Sequence, residues 1–280
     1  MLIFAVFACA PPEAESTPAA STTPTTIGPN PSTTDPTDPS TTDPSTTDPS
    51  TTSTSTGTST TDPSTTTPPA PVVDLRDGEL DLMPLGDSIT LGVSGGYRNG
   101  VYEALTAAGY AVDLVGTQSD PYTQVPDHDH EGHSGYSTWN VLDELDGWLA
   151  AGDPDVVLLM IGTNDVAWWI AEDVTDVADR LDQIVDRILA SRAGVTVVVA
   201  TIPPESSQLV APDYVDRALL AAEYDAEVRL RVAAHPDHVY LADVEPALTV
   251  DDLYDGIHPD EDAHDVIAQV WVDALTPLLP

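Results

Sequence analysis

Residues 72–280 predict an α/β fold, a three-layer α/β/α sandwich around a five-stranded parallel sheet. Three observations point there. Short apolar runs alternate with longer amphipathic stretches, the pattern of strands connected by crossover helices. Two of the runs, Val-Val-Leu-Leu-Met-Ile at 156–161 and Val-Thr-Val-Val-Val-Ala-Thr at 195–201, are almost continuously apolar, as in strands covered on both faces. The region also has the length of one ordinary domain.

Taken in order, the strands are expected at 80–85, 112–115, 156–161, 195–201 and 239–241. The helices are expected at 97–108, 138–150, 174–191, 214–234 and 262–275. The third helix shows the pattern best: Val174, Val177, Leu181, Ile184, Val185 and Ile188 form one apolar stripe with Asp and Arg opposite. Parallel strands put all their carboxyl ends on one rim, and ligands of open sheets bind beyond that rim. A residue just after the first strand and one just after the third therefore meet there, although far apart in sequence.

The first 71 residues have a different character. Residues 11–71 are almost entirely Ser, Thr, Pro, Ala and Asp, with Ser-Thr-Thr-Asp-Pro recurring, no aromatic residue and Ile27 as the one large aliphatic. Such a segment buries too little apolar surface to offset chain entropy and reads as a disordered linker. Residues 1–10 form an apolar run too short to span a bilayer, containing the chain's one cysteine, Cys9. Val6-Phe7-Ala8-Cys9 resembles a bacterial lipobox, which implies export and a lipid anchor at Cys9; the other reading is an ordinary signal peptide. One cysteine allows no internal disulfide.

Charge excludes some partners. The chain has 47 acidic residues against eight basic ones, all eight of them Arg, and only seven of the acids fall in the first 71 residues. The negative charge thus sits on the folded region, which repels nucleic acid and anionic membranes. Adaptation to high salt, where screening relieves self-repulsion, and a generally acidic proteome are both open.

Four segments carry the chemistry: Gly86-Asp87-Ser88-Ile89-Thr90, Gly132-His133-Ser134-Gly135, Gly162-Thr163-Asn164-Asp165 and Asp255-Gly256-Ile257-His258. Each lies in a loop or at the end of an expected strand, and together they offer a nucleophile, oxyanion donors and a base with an orienting acid. Any one alone is weak. Ser88 taken singly reads as a turn or N-cap serine, Gly135 as a turn glycine, Asn164 as an Asx turn closed by Asp165. In this order the four segments resemble the SGNH (GDSL-type) hydrolases. The resemblance implies a flavodoxin-like strand order and a serine esterase with Ser88 as nucleophile, His258 as general base and Asp255 as its orienting acid. It implies an oxyanion hole built from the N–H groups of Ser88 and Gly135 and the side-chain amide of Asn164, with Gly132 competing for the place of Gly135. The Ser88 segment, Gly86-Asp87-Ser88-Ile89-Thr90, is not the G-x-S-x-G elbow of the α/β-hydrolases, which argues against that fold.

Met83-Pro84-Leu85-Gly86-Asp87-Ser88-Ile89-Thr90, Gly96-Tyr97-Arg98 and His130-Glu131-Gly132-His133-Ser134-Gly135 further resemble carbohydrate esterase family three, which contains acetylxylan esterases. Tyr136 stands where that family often has Trp. The likeness implies an acylated carbohydrate as substrate and removal of acetyl groups from sugar hydroxyls. Candidate substrate-binding residues are Asp87 and the pair Trp168-Trp169, of which at most one can form a stacking platform because adjacent side chains diverge. The run Asp127-His128-Asp129-His130-Glu131-Gly132-His133 is dense in potential ligands, but they need not converge on one point, and serine chemistry needs no metal. It is expected to be a polar, substrate-facing loop, with no metal or cofactor, in a protein expected to be a monomer. The competing functions are a lipid-directed esterase or lysophospholipase, which needs a long apolar groove, and a non-catalytic carbohydrate-binding protein on a retired hydrolase fold. Both Phe residues, Phe4 and Phe7, lie outside the domain, and nothing else calls for a lipid groove.

Overall fold

A computed structural model describes residues 72–168, 173–210, 215–235 and 237–280, all within the unit Ser64–Pro280. The expectations for residues 1–71, Cys9 included, and for Trp169 lie outside the described residues.

In chain order the strands are β1 (Leu80–Gly86), β2 (Val112–Leu114), β3 (Gln118–Ser119), β4 (Asp129–Gly132), β5 (Val156–Met160), β6 (Thr196–Ala200), β7 (Leu209–Val210), β8 (Val215–Asp216) and β9 (Val239–Ala242). The helices are α1 (Ser88–Leu91), α2 (Tyr97–Ala108), α3 (Thr138–Gly152), α4 (Thr163–Trp168), α5 (Val174–Ser191), α6 (Arg217–Ala234) and α7 (Glu261–Leu275). The five expected strands pair in parallel in the spatial order β2-β1-β5-β6-β9, so the first strand in sequence lies second in space, the flavodoxin-like order.

The sheet has seven strands rather than five. One edge of β1 is shared: its first residues, Leu80 to Leu82, pair with β2, and Leu85 and Gly86 pair in parallel with β4, against which β3 runs antiparallel. The sequence of β4, Asp-His-Glu-Gly, hid it, because strand propensity tracks side chains that suit an apolar, pleated surface. A small β7–β8 ribbon stands apart from the main sheet.

Alternation along the central strands divides the core. Leu80 and Leu82 of β1, Val156, Leu158 and Met160 of β5, and Val198 and Ala200 of β6 join the cluster under α2 and α7, with Tyr97, Leu105, Ile267 and Trp271. Met83, Leu85, Val157, Leu159, Val197 and Val199 point the other way, into the cluster made with α3, α5 and α6. The α5 stripe, Val174 through Ile188, is buried in that second cluster as its periodicity predicts. Two helices on one face and three on the other make the three layers. A Leu→Ala change in either cluster costs about 2–5 kcal/mol.

Candidate active site

The site lies at the carboxyl ends of β1, β5 and β6, and it begins where β1 stops. Asp87 is the N-cap of α1: its Oδ1 accepts the Ile89 N–H at 2.9 Å. Ser88, the first helical residue, is therefore not needed as a cap, and its hydroxyl is hydrogen-bonded to His258 Nε2 at 2.9 Å. The far end of α1 is held by Arg98, whose guanidinium donates to the carbonyls of Thr90 at 3.0 Å and Leu91 at 2.8 Å. Asp87, a candidate for substrate contact, is instead fully buried beneath the turn. Burial pushes its carboxyl up to about 7, against the downward pull of the Ile89 N–H and of His258.

His258 comes from the loop between β9 and α7. That loop is closed by a bridge between Leu253 and Pro259 and by the Tyr254 N–H donating to the His258 carbonyl at 3.0 Å. Asp255 works with both oxygens. Oδ2 is bonded to His258 Nδ1 at 2.8 Å, and Oδ1 accepts the backbone N–H of Ile257 at 3.0 Å and of His258 at 2.8 Å. Burial acts to raise this carboxyl, but the bonds from the His258 backbone, its ring and the Ile257 N–H together hold it below the ordinary carboxylate range. A hydroxyl bonded to an imidazole whose other nitrogen faces a carboxylate is an arrangement able to remove the hydroxyl proton.

The second segment, Gly132–Gly135, reaches the nucleophile turn through β4. The His133 N–H donates to the Gly86 carbonyl at 2.9 Å, and a Cβ at Gly132 would collide with the backbone of Leu91 and Thr90. Gly132 thus lets the two segments touch, while its own N–H is donated to His130 Nδ1 at 3.0 Å in a buried bond. That bond removes Gly132 from competition as an oxyanion donor. Gly135 is exposed at φ +81°, and among the described residues neither its N–H nor that of Ser88 has an acceptor.

Asn164 sits in the first turn of α4, after β5, and its Nδ2 donates to the Tyr136 carbonyl at 2.9 Å. Asp165 does not close a local Asx turn. It accepts the backbone N–H and the hydroxyl of Thr138 at 2.9 and 2.7 Å, with Arg180 Nη2 at 3.3 Å. Neighbouring residues of α4 therefore both hold the 133–138 segment, which places Gly135 relative to Asn164. Tyr136 stacks on His133, with ring centroids 4.6 Å apart, and His133 stacks in turn on Trp148 at 4.5 Å.

Asp127–His133 is not the polar, substrate-facing loop expected from its composition. Much of it is β4, whose side chains are tied inward: Glu131 accepts from Thr117 N and Oγ1 and is bonded to His133 Nε2 at 2.5 Å, and His130 is buried. Trp168 is 60% exposed at the end of α4, so its ring is open to solvent near the rim.

Sequence reasoning missed a brace under the base loop. Arg217, 4% exposed at the start of α6, donates Nε to the Ser206 carbonyl at 2.8 Å and Nη2 to Ser206 Oγ at 2.5 Å and to the Gly256 carbonyl at 3.1 Å. Ser206 N–H donates to the same Gly256 carbonyl at 2.9 Å. Gly256, between Asp255 and His258, has φ +84°, and a Cβ there would strike Ser206 Oγ. Glu205 lies beneath, its Oε2 3.6 Å from Arg217 Nε, with neither oxygen hydrogen-bonded. Burial raises it to about 8, against the pull of Arg217. The one signal available was position: residues 205 and 206 follow β6 at the rim. Tyr254 was also missed; it is 61% exposed and stacks on the His258 ring, 5.7 Å centroid to centroid and 18° from parallel.

The model of the GDSL-like lipase/acylhydrolase family matches residues 85–266, a span that holds all four segments. The chain belongs to this family. It is a carboxylic ester hydrolase, and its relatives agree. A family 3 carbohydrate esterase from Clostridium thermocellum superposes with a TM-score of 0.58 at 30% identity, over 70% of this chain and 94% of that one. An acetyl esterase variant solved with acetate ion gives 0.58 at 28% identity, over 67% and 92%. A multidomain esterase from Ruminococcus flavefaciens is 26% identical over 232 residues, 74% of this chain but only 30% of that protein's length.

Proposed function

We propose that this esterase removes acetyl groups from carbohydrate hydroxyls by serine chemistry, and that Ser88, His258 and Asp255 carry it. The observation that supports this most is the unbroken relay from Ser88 Oγ to His258 Nε2 at 2.9 Å and from Nδ1 to Asp255 at 2.8 Å. Ser88 attacks the ester carbonyl while His258 takes its proton. Asp255 holds the imidazole in the tautomer that leaves Nε2 able to accept, and stabilises the imidazolium that forms. The carbonyl oxygen, now negative, is met by the N–H groups of Ser88 and Gly135 and the amide of Asn164, each such donor typically worth about 3–4 kcal/mol. His258 returns the proton to the sugar oxygen as it leaves. A water, activated by the same imidazole, then releases acetate from Ser88. Trp168, with its exposed ring, serves as a platform for the carbohydrate. Cys9 is the proposed lipid anchor that would hold the exported enzyme at the cell surface; [³H]palmitate incorporation lost in Cys9→Ala tests it.

The carbohydrate and acetyl assignments draw on the names of the two structural neighbours and on the three motif segments shared with carbohydrate esterase family three. The test is acetate release from acetylated xylan, alongside hydrolysis of p-nitrophenyl acetate and p-nitrophenyl palmitate, by the wild type and Ser88→Ala. Acetyl activity that disappears in the variant is expected. Preference for the palmitate ester would replace this reading with the lipid-directed one, and activity that survives Ser88→Ala would remove the serine mechanism.

A further inference from the structure

A groove of about 490 Å³ opens beside the base, between the turn that follows α1, the first part of α2 and the 254–265 segment. Its volume falls in the range of about 300–1,000 Å³ usual for small-molecule sites, room for a short saccharide. Its walls adjoin the reacting residues at three points. Val93 and Ser94 lie just past Gly92, which ends the helix that Ser88 begins, Pro259 is next to His258 in sequence, and Tyr254 lies stacked on the His258 ring. The alcohol oxygen of an ester must come within hydrogen-bond reach of His258 Nε2 to receive its proton. The body of that alcohol therefore lies on the imidazole side of Ser88, where this groove opens.

The lining has a consistent chemistry. Glu103, Glu261 and Asp265 present exposed carboxylates, none of which has an ion-pair partner among the described residues. No Arg lines the groove. Gln124 adds an exposed amide, and Tyr254 an aromatic face. His264, more than nine-tenths buried against Gly96, contributes an imidazole whose Nδ1 has no hydrogen-bond partner. Unpaired carboxylates accept strong, charge-assisted bonds from hydroxyl donors, and an aromatic face packs on the C–H face of a sugar ring. The same carboxylates repel any anionic group brought among them.

We propose that this groove is the subsite for the alcohol part of the ester, and that it selects uncharged saccharides over uronate-bearing ones. The inference rests on the acylated-carbohydrate reading above and adds to it where the sugar sits and which sugars are refused. Two variants test it, both at exposed positions outside the relay: Gln124→Trp, which fills the groove, and Glu103→Gln/Asp265→Asn, which removes charge at nearly constant shape. The substrates are p-nitrophenyl acetate, acetylated xylobiose and acetylated digalacturonate.

Gln124→Trp should raise KM for acetylated xylobiose about ten-fold or more while kcat/KM for p-nitrophenyl acetate stays within about two-fold. The charge-removing variant should narrow the wild-type preference for the neutral disaccharide over the anionic one by about ten-fold, less so in high salt. Unchanged xylobiose kinetics in Gln124→Trp, or an unchanged neutral-to-anionic ratio in the double variant, would overturn the subsite while leaving the carbohydrate reading intact. A wild type that cleaves p-nitrophenyl acetate but neither acetylated sugar would refute that reading and the subsite with it.

Discussion

Replacing Asp255 by Asn and by Ala should separate the two tasks of this carboxylate, and the larger chemical loss should come from the more conservative change. In Asp255→Asn the amide oxygen can still accept the N–H groups of Ile257 and His258, now 3.0 and 2.8 Å away, so the base loop keeps its shape. The amide nitrogen then faces His258 Nδ1 across the 2.8 Å contact and donates to it. The ring is forced to carry its proton on Nε2, where it can no longer accept one from Ser88. A wrongly fixed tautomer of this kind costs about 10⁴ in kcat, or roughly 5.4 kcal/mol.

In Asp255→Ala no group dictates the tautomer. The Asp255 side chain is 42% exposed, so water can reach Nδ1. The loss is one bond to a charged group, about 1.5–3 kcal/mol, or about 10- to 150-fold in kcat. The loop, however, loses both backbone anchors, and the melting temperature should fall in Asp255→Ala and not in Asp255→Asn. Steady-state kcat on p-nitrophenyl acetate and thermal melts of the three proteins decide the matter. An Asp255→Asn enzyme as active as Asp255→Ala, or more so, would refute the tautomer argument.

Three further outcomes follow from the geometry. Asn164→Ala removes one of the proposed oxyanion donors and should lower kcat by about 10²–10³ with KM nearly unchanged, measured on the same aryl ester. Arg217→Lys cannot reproduce bonds to Ser206 and Gly256 together, and we expect kcat to fall about ten-fold on aryl and sugar esters alike, with KM little changed; a change confined to melting temperature would reduce Arg217 to a structural role. Glu205 has a folded-state value of about 8 against 4.5 for an ordinary Glu, so folding holds a proton that the unfolded chain releases. Its stabilising contribution is complete in acid and declines between pH 4.5 and 8, by up to about 1.36 kcal/mol per pH unit. Glu205→Gln should therefore gain melting temperature relative to the wild type as pH is raised from 5 to 8, and a gap independent of pH would show that Glu205 is already ionised at pH 5.

Much of the architecture was legible because burial on both faces leaves an unmistakable mark: β5 and β6 could hardly be anything but central strands. The relay was legible for a different reason, since a serine, an amide and an Asp-x-x-His at strand ends are rare together. What stayed hidden depends on partners remote in sequence. β4 is a strand because Glu131 and Gly132 meet Leu85 and Gly86, not because Asp-His-Glu-Gly favours extension. The choice between Gly132 and Gly135 turned on a single buried bond to His130 that no spacing could foretell. Asp165, which the alternative reading of Asn164 as an Asx turn would have kept local, bonds Thr138, 27 residues away. Asp87 was offered to the substrate by its place beside Ser88, yet that place requires a buried cap.

The scarcity of cations adds a further level of organisation. Against 47 acids the chain has eight Arg and no Lys, and three of those eight are buried at the loops that build the site. Arg98 ties off the carbonyls behind Ser88, Arg180 joins Thr138 and Asp165 behind Asn164, and Arg217 joins Ser206 to Gly256 behind His258. Each bridges two acceptors from different places in one segment or from two segments. The planar, five-donor guanidinium can do this and stays charged when buried, whereas an ammonium offers a compact charge that deprotonates more readily in such surroundings. In a molecule this acidic, an exposed cation is surrounded by carboxylates and adds little to stability. A buried one, held to neutral carbonyls and hydroxyls as well as to carboxylates, fixes geometry that general repulsion would otherwise loosen. The three site loops are thus each held by a group that the rest of the chain uses sparingly, and the relay's 2.8 and 2.9 Å spacings rest on that support as much as on the four segments themselves.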